Sequence, residues 1–378
     1  MNSKTTSSVF IRKAVFRTFK YSSALSLAML AHSVSASGLD LTGNPIDMIF
    51  AEKNEVRLRV ARISPNISGE HDRAGFGETG DIGDTFITGT LGVKFDVADN
   101  WSFSLEGDRP YYGRVNYRNW AAGRFLGYFD SRSLTGLARY KFNKNWSVFG
   151  GARWIALRGE LNSFGAKTHL APSSEVGAVI GGAFEIPEMA IRVSLSYAEE
   201  QRHRLEADGS IVAPGEIAPI TVSGATGILL PEQIRLDFQT PVSRSTLLFG
   251  GIRWSNWSDT DIWPGQDIDE GELSLVDFSD TAVATYSLGA TQLITDSFAL
   301  TGTIGYEEDN NNEVNFLNVL GGFVTYGVAA TYIADNYKST VALTYTPLDD
   351  KTGDFFGADL SYESNEIWAL GFQLNYTF

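Results

Sequence analysis

The stretch Trp368-Ala369-Leu370-Gly371-Phe372-Gln373-Leu374-Asn375-Tyr376-Thr377-Phe378 decides the fold. Every second residue is large and apolar, and the residues between are small or polar. A β-strand sends successive side chains to opposite faces, so this segment reads as a strand with one greasy and one wet face. The same alternation recurs upstream: Val56, Leu58 and Val60 against Arg57 and Arg59; Ile191, Val193, Leu195 and Tyr197 against Arg192, Ser194 and Ser196; Ile234, Leu236 and Phe238 against Arg235, Asp237 and Gln239. Helical periodicity is scarce. The fold class is all-β.

Connection lengths separate a membrane barrel from a soluble sandwich. Six are short: Val97–Asn100, Asn143–Asn145, Pro187-Glu188, Pro241–Ser245, Thr295-Asp296 and Asp335-Asn336. Between them fall seven long ones, near 65–83, 108–131, 158–174, 199–230, 256–281, 307–318 and 347–366. Short turns on one rim and long loops on the other mark a transmembrane antiparallel barrel, and this count gives about fourteen strands. Aromatics flank the short turns, as in Phe95 and Trp101, Phe142 and Trp146, Tyr332 and Tyr337. Such rings settle where hydrocarbon meets headgroups.

The first 36 residues read as a cleaved export signal: a basic stretch with Lys4, Arg12, Lys13, Arg17 and Lys20, an apolar run Ala24–Ala31, and a small-residue site ending at Ala36. The five charges removed are all positive, so 30 basic residues become 25 against 45 acidic ones, a net −20. That charge excludes nucleic acid as a partner. With no cysteine, disulfide scaffolds, thiolate zinc and cysteine nucleophiles are excluded. No cofactor and no metal are expected. The acidic runs Asp267–Glu270 and Glu307–Asp309 are read as solvated charge, with Ca²⁺ ligation as the alternative. The expected division is 1–36 signal, 37–53 a hatch folded into the lumen, and 54–378 the barrel.

If the apolar stripe faces lipid, parity sends the other face inward. The lumen then receives Arg57, Arg139, Lys141, Arg153, Arg192 and Arg253, together with Leu137, Phe149, Ile155, Leu247 and Phe249. A water-filled pore has little use for those apolar groups. A site for an amphipathic molecule uses both kinds, the arginine fork meeting a carboxylate. The substrate-binding candidates are therefore Arg57, Arg153, Arg192, Arg253, Phe149 and Phe249, with lumen ion pairing as the alternative for each arginine. Phe149-Gly150-Gly151-Ala152-Arg153-Trp154 and Phe249-Gly250-Gly251-Ile252-Arg253-Trp254 nearly repeat. Gly107, Pro110 and Gly113 are placed to interrupt a strand: proline lacks the ladder donor and glycine tolerates a bend.

Taken in order, Gly38-Leu39-Asp40…Asn44-Pro45, Pro110-Tyr111-Tyr112-Gly113, Pro231–Phe238 and Gly250–Ser258 resemble the FadL-type family of long-chain fatty-acid and hydrocarbon transporters. The resemblance implies a fourteen-stranded barrel with an N-terminal hatch, passive uptake, and release sideways through a kink in the third strand. Asn44-Pro45 is similar to the family's Asn-Pro-Ala hatch motif, with Ile46 in place of its alanine. About 18 residues separate Ser37 from the first strand, which makes the hatch shorter than in familiar members. The expectation is a monomer in the bacterial outer membrane, contacting lipids and lipopolysaccharide and taking up a hydrophobic small molecule. The alternatives are a general porin for polar solutes, a receptor or adhesin acting through its loops, and an enzyme. Against an enzyme, His71, His169 and His203 are all expected in loops.

Overall fold

A computed structural model describes residues 40–42, 46–121, 123–163, 166–211, 220–259, 261–264, 276–277, 281–309, 314, 319–355 and 357–378. The export signal and Asn44-Pro45 lie outside the described residues.

The strands form one closed antiparallel barrel of fourteen members. In chain order they are β1 (Glu55–Asn66), β2 (Phe86–Ala98), β3 (Trp101–Asp108), β4 (Phe125–Lys141), β5 (Trp146–Ser163), β6 (Ala166–Ile186) and β7 (Ile191–Ala198). Then follow β8 (Gln233–Pro241), β9 (Thr246–Ser255), β10 (Val283–Thr295), β11 (Phe298–Glu307), β12 (Phe323–Ile333), β13 (Tyr337–Pro347) and β14 (Glu366–Thr377). Neighbours in sequence pair, and β1 closes the ring on β14 from Glu55↔Thr377 to Asn66↔Glu366. Closure leaves no free edge along that seam.

Side chains sort by parity. Val56, Leu58, Leu91, Ile234, Leu370 and Phe372 are exposed on the outer wall, while Arg57, Arg59, Leu137, Phe149, Phe249 and Gln373 are buried inside. A soluble protein does not carry so continuous an exposed apolar belt; hydrocarbon is the solvent that suits it. At the short-turn rim the aromatics touch one another: Trp101 lies 5.0 Å from Tyr140, Trp146 4.8 Å from Phe184, and Tyr332 6.1 Å from Tyr337. Among the described residues no helix is long and apolar enough to cross a membrane.

Several stretches expected as loops are strands. β5 and β6 stay paired beyond the membrane belt, with one register shift between Leu157 and Gly159, and Gln201–Ile211 forms a ladder with Ile220–Leu230. Their outer face turns polar, with Arg202, Arg204 and Glu206 exposed, so they stand in water above the lipid. His169 and His203 lie in these extensions. His71 lies in a four-stranded cap made of Gly69–His71, Gly77–Glu78, Lys351–Phe355 and Ala358–Tyr362. None of the three histidines is in a loop. Polar composition at water level imitates a loop, and the period-two alternation of His203, Leu205 and Ala207 was the signal for a strand.

The two Phe-Gly-Gly segments have a packing explanation. A Cβ on Gly181 would fall inside the Phe149 ring, and one on Gly289 inside the Phe249 ring. Each aromatic therefore lies across a glycine of the neighbouring strand, filling the space the glycine leaves.

Candidate functional site

The N-terminal segment descends inside the barrel. Ile46, Met48, Ile49 and Phe50 are buried there, and Asp47–Phe50 forms one turn of 3₁₀-helix closed by the Ala51 N–H donating to the Met48 carbonyl at 3.1 Å. Its apolar side packs on Leu137, Phe149, Val179, Ala183 and Ala198. The Phe50 ring meets Phe149 edge-on at 5.4 Å, with the guanidinium groups of Arg139 and Arg192 at 4.7 and 4.5 Å from its centroid. Close approach to the wall requires Gly92, where a Cβ would come 2.9 Å from Glu106 Oε2 and 3.3 Å from Met48 Sδ.

Charge fixes the hatch in place. The Asp47 carboxylate accepts from Arg57 and, at 2.9 Å, from Arg59 Nη2. Two residues apart on β1, both arginines face inward by parity. Arg57 also donates to Glu55 at 2.9 Å, and Arg59 Nε to Gln373 at 2.7 Å. Higher up, Asp40 Oδ2 lies 3.1 Å from both Arg253 Nη1 and Gln233 Nε2. Thr42 Oγ1 donates to Asp108 at 2.6 Å, and Arg153 Nη2 sits 3.3 Å from the same carboxylate. Each of these carboxylates is buried with its cations, so removing one partner would strand a charge.

The third strand interrupts the wall. β3 pairs with β2 only from Ala98↔Trp101 to Leu91↔Gly107. On its other side it pairs with β4 up to Asp108↔Ser133, and the ladder resumes at Tyr112↔Asp130 and runs to Tyr117↔Phe125. Three residues, Arg109, Pro110 and Tyr111, thus face two, Ser131 and Arg132, which is a β-bulge. Past the bulge the strand bends away. Phe86–Thr90 of β2 stay paired with β1 but have no partner on the β3 side among the described residues. The next contact above is the bridge Gly83↔Val115.

Side chains line this gap. Phe86 and Tyr112 rings lie 4.2 Å apart, and the Arg109 guanidinium sits 3.9 Å from the Tyr112 centroid. Arg109 donates to the Ile87 carbonyl at 3.2 Å and to Asp130 at 2.5 Å. Outside, Ile87 is 65% exposed to the lipid side. The hatch reaches the same place, the Leu41 N–H donating to the Pro110 carbonyl at 2.7 Å.

Above this level lies a large apolar cluster, with polar groups such as His71, His203 and Lys351 buried at its margins. Leu41, Ile63, Tyr111, Tyr117, Trp120, Phe129, Ile155, Leu157, Leu205, Ile228 and Trp257 belong to one buried cluster. Below it stands the ion-paired floor.

Of the arginines read as substrate contacts, Arg57, Arg153 and Arg253 are engaged by carboxylates of the chain, and Arg253 also faces Glu307 at 3.6 Å. Their partners Asp47, Asp108 and Asp40 were not singled out by sequence. Among the described residues Arg192 makes no hydrogen bond, and its guanidinium lies over the Phe50 ring. Phe149 packs on the hatch and Phe249 on Gly289. Gly107 lies at the end of the β2–β3 pairing, Pro110 in the bulge and Gly113 just past it. Ile46 is buried in the hatch. Glu307 is bound to Arg253 and Thr285 rather than solvated, and Asp267–Glu270 lie outside the described residues.

The fold has counterparts. A FadL homologue of Pseudomonas aeruginosa superposes with a TM-score of 0.73 at 16% identity, over 89% of this chain and 93% of that one. The P. putida toluene transporter TodX gives 0.66 at 12% identity, over 89% of this chain and 92% of that one. The Ralstonia pickettii toluene transporter TbuX gives 0.56 at 11% identity, over 93% and 98%. At these identities the likeness is one of fold. No family model and no curated protein matches the sequence.

Proposed function

We propose that this chain is a FadL-type outer-membrane transporter that takes up hydrophobic compounds and releases them sideways into the bilayer. The carrying observation is that the wall gap and the polar floor meet at one height. Asp108 marks it: the residue ends the paired part of β3, and its carboxylate holds Thr42 of the hatch and Arg153 of the wall. A compound entering at the long-loop rim travels through apolar surroundings, meets buried ion pairs at Asp108, and has the break between β2 and β3 beside it. Leaving into water would forfeit about 0.8 kcal/mol for each buried CH₂. Leaving through the wall forfeits none of that.

The fold-mates named as toluene transporters support a small aromatic hydrocarbon as substrate. Since most inward arginines are satisfied by the chain's own carboxylates, an uncharged molecule suits the upper lumen better than an anion.

Deleting Pro110 is the test. It leaves two residues facing Ser131 and Arg132, removes the bulge, and lets β3 continue straight beside β2. Toluene uptake by cells carrying the deletion is expected to fall at least tenfold, while the heat-shifted electrophoretic mobility of a folded barrel and toluene binding by the purified protein persist. Full uptake through a correctly folded deletion variant would refute the sideways route.

A further inference from the structure

At the short-turn end, beneath the hatch, lies a cavity of about 620 Å³. Residues of the first three short turns line it, among them Asn100, Asn143 and Pro187, so it opens on the side opposite the long loops. Its volume falls within the range of small-molecule sites. Its roof is Phe50 and its walls carry Arg139, Lys141 and Arg192.

Arg192 sets this cavity apart from the rest of the lumen. The residue is only 6% exposed, yet among the described residues its guanidinium donates to no acceptor. It faces Glu185 on β6 and Gln239 on β8 across the ladders. The Glu185 carboxylate is taken by Arg139, which also donates to Ser147 at 3.0 Å. The Gln239 amide nitrogen donates to the Ala190 carbonyl at 2.9 Å. One face of the Arg192 guanidinium is covered by Phe50, and the side chain lines the cavity. Lys141, half-buried on the same wall, makes no ion pair within 4 Å among the described residues, though Asp96 lies near enough to feel its charge. The acids Glu52 and Asp99 stand at the exposed rim, where water and salt screen them.

A buried guanidinium with free N–H groups is costly unless an anion meets it. Its flat fork matches a carboxylate, and Phe50, Ala190 and Ile191 offer an apolar surface beside it. We propose that this cavity binds a small organic carboxylate from the short-turn side, anchored by Arg192 and seconded by Lys141. It is separated by the hatch from the upper lumen, so the proposal stands apart from the uptake route and its failure leaves that route untouched.

Benzoate and its uncharged counterpart benzyl alcohol serve as probes of the purified barrel in detergent, read by calorimetric titration. Benzoate is expected to bind, benzyl alcohol to bind at least tenfold more weakly, and Arg192→Gln to weaken benzoate at least tenfold. Arg192→Lys, which keeps the charge without the fork, should fall between. A second readout needs no change at Arg192. The chain has no cysteine, so Glu52→Cys places a single thiol at the rim, and benzoate should slow its reaction with a maleimide. Equal binding of the two probes, unchanged benzoate affinity in Arg192→Gln, or a thiol that benzoate does not protect would each overturn the proposal.

Discussion

Asp47→Asn is expected to loosen the hatch without unfolding the barrel. In the native protein one carboxylate oxygen serves both Arg57 and Arg59, with the latter at 2.9 Å, and all three side chains are buried. Breaking a buried pair by removing one partner costs about 3–5 kcal/mol. Here the lower end applies, because Arg57 keeps Glu55 at 2.9 Å and Arg59 keeps Gln373 at 2.7 Å. A loss of about 3 kcal/mol raises the open population of the hatch on the order of a hundredfold. The upper anchors, Asp40 and Thr42, are unaffected, so the opening is confined to Ile46–Ala51. Met48 is 2% exposed, and Met48→Cys gives the cysteine-free chain one reporter thiol. When closing is faster than labelling, the labelling rate follows the open population. The rate in Met48→Cys/Asp47→Asn should therefore exceed that in Met48→Cys by about two orders of magnitude. A ratio under threefold would refute the claim that the Asp47 ion pairs hold the hatch closed.

Two further outcomes follow from particular side chains. Burial lowers the His203 pKa from its ordinary 6.5 to about 4, so the folded protein keeps this ring neutral. Protonation favours the unfolded segment: its stabilisation is full above about pH 6.5 and is lost as pH falls toward 4. The protection factors of the Gln201–Ile211 amides, each rate divided by its intrinsic rate at the same pH, should fall over that window, and His203→Gln should flatten the dependence. Gly181→Ala drives a methyl into the Phe149 ring and should destabilise by about 1–3 kcal/mol, lowering the temperature of the mobility shift. Gly302→Ala has nothing within 4 Å of its Cβ and should leave that temperature unchanged.

The barrel was legible because a strand's parity is local. Val56, Leu58 and Val60 declare one solvent and Arg57 and Arg59 the other, with no need to know which strand lies alongside. The interior was legible only by facing. That Arg253 points inward follows from alternation, but its partner Asp40 lies 213 positions earlier in the chain and is brought near only by closure. The arginines therefore read equally as ligands for a substrate and as members of lumen ion pairs; Arg57 and Arg253 pair with Asp47 and Asp40 of the hatch, and Arg153 with Asp108 of the wall. The bulge was half visible: Pro110 marks an interruption, but whether the strand resumes depends on the register with β4, which no local signal encodes. The third strand does resume, in a ladder with β4 and, on its other side, through the single bridge Gly83↔Val115.

An opening in a sheet is also a free edge. Backbone N–H and C=O groups that have lost a neighbour invite any passing strand to pair with them, and in a crowded membrane the nearest strand belongs to a second barrel. The break between β2 and β3 carries its own protection. Pro110 has no N–H to offer, and Arg109 occupies the Ile87 carbonyl at 3.2 Å. The residues that part the wall also blunt its rim, so the gap does not become a template for edge-to-edge polymerisation.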